Sequence, residues 1–64
     1  MTTATRREVK LSTVYSPDDQ GWYTEVFDKQ TGEDMHSTAI YASPYRARRE
    51  AERWARKNGH WFDD

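Results

Sequence analysis

The chain contains no cysteine, and that absence removes disulfides, thiolate metal sites and cysteine nucleophiles together. Small secreted domains usually depend on such staples, so a reducing, cytoplasmic setting is expected. Long apolar runs are missing too. None approaches the ~18 residues that span a bilayer, and Met1 to Arg7 lacks the apolar segment of a signal peptide. A soluble, unprocessed chain with no membrane partner is the expectation. Apolar material is scarce altogether: of 64 residues 34% are hydrophobic and 33% charged, with a mean hydropathy of −1.22. So short a chain buries only about 60% of the surface it exposes when unfolded, which predicts one thin domain without a deep active-site cleft.

Three Trp, four Tyr and two Phe offset that scarcity, because each supplies a large contact area and favours a folded domain over disorder. The net charge of −1 conceals a division along the chain. Residues 1–10 carry +2, residues 11–42 carry −5 and residues 43–59 carry +4, with Asp63 and Asp64 adding −2. An acidic middle and an Arg-rich later segment cancel one another.

Residues 1–6 show no periodic pattern and read as a flexible tail before a single domain over 7–62. From Arg7 to Tyr15, Val9, Leu11, Thr13 and Tyr15 alternate with polar residues, the period of a half-buried strand. Ser16 to Gly21 stacks turn formers, with Gly21 available for positive φ. Trp22 to Asp28 is short, aromatic and β-branched, a second strand. A hairpin loop over Lys29 to Glu33 places Gly32 at the left-handed position. Asp34 to Ala42 alternates again, with His36, Thr38 and Ile40 on one face and Met35, Ser37, Ala39 and Tyr41 on the other. Ser43 as N-cap, Pro44 in the first turn and Gly59 after Asn58 predict a helix over 44–58. Its apolar side is Ala47, Ala51, Trp54, Ala55 and Asn58. The predicted fold is α+β, a three-stranded antiparallel meander with one C-terminal helix packed on one face. Trp61 and Phe62, just beyond the helix, are expected to fold back over an edge of the core.

Little catalytic chemistry is on offer. Four serines and two histidines are present, but Ser43 serves as a cap and no nucleophile elbow surrounds the others, so a non-enzyme is expected. His36 and His60 fit no zinc spacing, and the acidic pairs Asp18–Asp19 and Glu33–Asp34 lack the alternation of a calcium loop. No metal or small-molecule cofactor is expected. The chemistry-bearing feature is the helix face carrying Arg46, Arg49, Arg53, Arg56 and Lys57, which suits phosphates or an acidic protein surface, against the plainer reading of a solvated face with intrahelical pairs from Glu50 to Arg46, Arg53 and Lys57. Seven Arg against three Lys favour planar, bidentate donors. A second candidate is aromatic: Trp22, Tyr23, Phe27, Tyr41, Trp61 and Phe62 offer a protein interface, because the helix covers only one sheet face.

The stretch from Trp22 to Ala55, with its aromatic strand, Gly32 hairpin, third strand and alanines at 47, 51 and 55, resembles the second half of a double-stranded-RNA-binding domain. That family's first helix has no counterpart here, and Pro44 and Tyr45 stand where its last helix opens on a lysine pair. The same order of elements is similar to the three-stranded-sheet-plus-helix DNA-binding domains of AP2-type factors and integrase arms, which read DNA with the sheet. Both resemblances imply a fold. The functional expectation is a small non-catalytic binding or regulatory module, acting on nucleic acid through the Arg-rich helix face. The alternative is a protein-interaction or homodimerisation module, an accessory or inhibitor protein of bacterial or phage origin, using the aromatic sheet face or the acidic surface.

Overall fold

In the computed structural model residues 7–62 are described; the expected tail over 1–6 and the pair Asp63 and Asp64 lie outside them. The elements run β1 (Glu8–Ser16), β2 (Gly21–Asp28), β3 (Asp34–Ser37), α1 (Pro44–Lys57) and β4 (Trp61–Phe62). They form a four-stranded sheet in the order β3-β2-β1-β4, with α1 packed against β1 and β2. The α+β class and the antiparallel β1-β2-β3 meander match the pattern read from sequence. The fourth strand does not: β4 pairs parallel to β1, Glu8 with Trp61 and Val9 with Phe62, so the sheet is mixed.

Register decides which side chains meet the helix. Val9 pairs with Asp28, Leu11 with Val26, Thr13 with Thr24 and Tyr15 with Trp22, so these residues share the α1 face. Val9, Val26, Ala51 and Ala55 form the buried cluster, joined by the partly buried Leu11, Met35, Trp54 and Phe62. The buried side of α1 is Ala47, Ala51 and Ala55, whose small side chains let the helix lie close on the sheet. Asn58 departs from that side: it is the C-cap, and its side-chain amide donates to the Trp54 carbonyl at 2.8 Å. Ser43 caps the other end, its hydroxyl accepting from the Tyr45 N–H at 3.2 Å.

β3 is shorter and more irregular than uniform alternation over Asp34 to Ala42 predicts. A register shift between Val26 and Phe27 places Asp34 opposite Phe27 and His36 opposite Val26. The residue between them, Met35, packs on the core although its neighbour His36 also lies on the helix side. A second irregularity follows Ser37. Straight pairing from Glu25 with Ser37 would bring Ile40 opposite Trp22, but Tyr41 is found there. Thr38 causes this: its hydroxyl accepts from the Thr24 N–H at 3.0 Å, standing in for a backbone carbonyl. The two faces assigned to this strand from sequence are therefore mixed, and Tyr41 comes to the helix side with His36. Ile40 instead lies over Gly21, where a Cβ would strike its Cγ2 and sit 3.0 Å from the Tyr41 carbonyl. Gly21 is thus needed for close approach, and the positive φ of the turn falls on Gln20 at 51°. Gly32 does take the left-handed conformation, at φ 79°.

Candidate functional site

α1 sits over β1 and β2, so its flank toward β3 borders an open groove. His36, Ser37, Thr38, Ala39 and Tyr41 form the sheet side, and Glu50, Arg53, Trp54 and Lys57 the helix side. The groove measures about 240 Å³, below the ~300–1,000 Å³ of small-molecule sites, and it opens along its length. Its floor is aromatic. The His36 ring stacks on the Trp54 indole with centroids 4.5 Å apart and planes within 2°, and His60 lies against the same indole at 5.6 Å. The irregular end of β3 extends the groove, carrying Tyr41 to a neighbouring hollow with Arg46, Arg49, Glu50 and Arg53.

The cations expected on the helix face divide between its flanks. Arg53 and Lys57 rim the groove, Arg46 and Arg49 the neighbouring hollow, and together they make a row rising about 6 Å for each four residues. Arg56 leans the other way, its guanidinium 5.3 Å from the Phe62 ring centroid. Of the pairs expected from Glu50, the ion pair formed is that with Arg53, at 3.7 Å. Arg53 is 73% exposed, so that pair holds little energy and leaves the row electropositive. On the β4 flank, Arg48 meets Glu52 at 3.0 Å and the charges there offset one another.

The aromatic residues expected at a protein interface do not form one surface. Trp22 and Tyr41 lie on the helix side, Trp22 edge-on to Tyr15 at 5.1 Å, and Phe62 packs on the core. Tyr23 and Phe27 lie on the uncovered face by their register with Val14 and Lys10, and Trp61 joins them beside Glu8. Trp61 is 49% exposed, so half of the terminal aromatic pair covers the core and half does not.

No family model matches the chain, and no curated protein or solved structure does.

The groove contains residues that sequence pattern alone does not single out. His36 and Trp54 are ordinary members of a strand and a helix until the packing stacks them. Outside the groove, Tyr45 is 84% exposed on the first turn of α1, next to Arg46 in the chain. Its place after Pro44, away from the alanine side, is the signal that marks it as free. A wider depression of about 730 Å³ lies at Arg7, Glu8, Asp28, Lys29, Gln30, Thr31 and Trp61. Its charges are already matched, Arg7 to Asp28 and Lys29 to Glu8 at 3.1 Å, so it ties the chain together. Asp28 is 2% exposed and also accepts from the N–H groups of Gln30 and Thr31 at 2.8 and 3.3 Å. The Arg7 guanidinium, followed by the Gln30 N–H, holds its carboxyl below the usual range. Across the sheet, Glu25 is pushed above its ordinary value, first because its protonated form hydrogen-bonds Asp34 and then by burial. Among the described residues, no group of three or more His, Asp or Glu could hold a metal ion, and no helix is long and apolar enough to cross a membrane.

Proposed function

We propose that this domain is a non-catalytic binding module for single-stranded nucleic acid, held along the groove between α1 and β3. The observation that carries this reading is the row of Arg46, Arg49, Arg53 and Lys57 running beside the half-buried rings of His36 and Tyr41. Cations track a phosphate backbone and release its counterions, while aromatic faces accept unstacked bases. A duplex keeps its bases in the stack and uses only half of this site. The resemblance to domains that read DNA with a sheet would turn the other face toward the ligand. That face carries Glu8 and Glu25 as well as Lys10. The helix flank is the better electrostatic match.

A protein partner on the uncovered sheet face is the second reading, favoured by Val14, Tyr23, Phe27 and Trp61 lying there. Glu8, Lys10, Ser12 and Glu25 interrupt that patch, so it ranks below the groove.

Fluorescence anisotropy with labelled single-stranded and duplex oligonucleotides separates these outcomes. Single strands should bind more tightly, with log K falling against log salt at a slope near −3, about −0.7 for each of four phosphates. Arg49→Glu with Arg53→Glu should abolish binding, and Tyr41→Ala should weaken single-strand binding more than duplex binding. No binding at low salt, or a flat salt dependence, would overturn the proposal.

A further inference from the structure

The sheet has two edges, and they differ. β3 is short and twice shifted in register, which spoils it as a template for another strand. β1 runs nine residues with an unbroken register to β2, and among the described residues β4 covers it only beside Glu8 and Val9. Among the described residues nothing pairs with the β1 edge beyond Val9. The orientation of its backbone groups is fixed by two bonds. The Glu8 carbonyl accepts from Lys29 on the β2 side, and the Arg7 carbonyl accepts from Trp61 on the β4 side. Alternation then directs the N–H and C=O groups of Leu11, Thr13 and Tyr15 to the open edge. This stretch, Leu11 to Ser16, carries no charge, proline or glycine to discourage pairing, and Val14 and Tyr15 on it are 36% and 46% exposed.

We infer that the β1 edge is a homodimer seam, occupied by β1 of a second copy in antiparallel pairing about a twofold axis at Thr13. This occupant suits the edge because the segment is complementary to itself. Thr13 meets Thr13 of the second copy and Leu11 meets its Tyr15, so every outward donor and acceptor is used in a ladder of about six hydrogen bonds. Leu11 and Tyr15 lie on the helix face, so the facing pair joins two apolar side chains. Lys10 meets Ser16, and no like charges oppose one another. The open stretch ends at β4 on one side and at the Pro17 turn on the other, so it accommodates a strand of its own length. The two sheets become one, with both helices on the same side.

Sedimentation equilibrium of the full chain, combined with amide exchange at two concentrations, tests this. Dimerisation with a dissociation constant on the order of 10–100 µM is expected for so small a seam. Exchange at Leu11, Thr13 and Tyr15 should slow on the order of tenfold as concentration rises, while Ser12 and Val14, already bonded to β2, stay unchanged. In this register Ser12 faces Val14 of the second copy. Ser12→Lys with Val14→Lys should give a monomer with an unchanged circular dichroism spectrum, and Ser12→Glu with Val14→Lys should restore the dimer. A wild-type chain that stays monomeric at about 1 mM, or a dimer indifferent to these charges, overturns the inference.

Discussion

Asp28 shows how much one side chain does in a domain with little core. It joins the N-terminal end of β1 to the β2–β3 hairpin through Arg7 on one oxygen and the Gln30 and Thr31 N–H groups on the other. Because its carboxyl is held below the unfolded value of about 3.9, its contribution is present above that pH and is lost as pH falls through the folded value. Urea midpoints measured from pH 7 to pH 2 should show Asp28→Asn less stable than wild type at neutrality, with the gap closing in acid; a constant gap would contradict this. Glu25 works in the opposite sense. Its folded value is raised beside Asp34, so its favourable contribution exists in acid and is lost as pH rises. Glu25→Gln should therefore melt above wild type at pH 7 and show no gain at pH 3. In the sequence Asp28 reads as one of the six acids of residues 11–42, and its partner lies 21 positions away; the local sign of its role is the turn sequence Lys29 to Gly32 that follows.

At the level of elements, β1, β2 and α1 were legible because each carries a local signal: period-two alternation, aromatic density, or caps at both ends. β3 beyond Ser37 and the whole of β4 were not. Strand alternation assumes constant register, and Thr38 breaks it with a side-chain bond that no pattern announces. β4 has two residues and exists only by pairing with β1, more than fifty positions earlier. The groove lies between the legible α1 and the irregular end of β3, so its cation row was readable and its aromatic floor was not. Gly21 ties these elements together. Gly21→Ala should cost about 1–3 kcal/mol in chemical denaturation, because the added Cβ meets Ile40 and the Tyr41 carbonyl. In an Ile40→Ala background the same change should cost less, and an equal cost in both would show that the Ile40 contact is not its cause.

Over the whole molecule, the charge division read along the sequence becomes a division in space. Cations gather on the outward side and β3 flank of α1, where the exposed pair of Arg53 with Glu50 offsets them weakly. The acids of residues 8–34 sit on the turns and the uncovered sheet face, except for Asp28, which is paired with Arg7, while Glu50 and Glu52 lie on α1. A nearly neutral protein thus presents to a polyanion a groove in which cations outnumber Glu50, and turns most of its acids elsewhere. Backbone amide shifts on adding a short single-stranded oligonucleotide at low salt test that account most directly. The proposed site predicts changes at His36 to Tyr41 and at Arg46, Arg49, Arg53, Trp54 and Lys57, reversed by added salt. Changes centred instead on Lys10, Tyr23 and Phe27, or no changes at all, would contradict it.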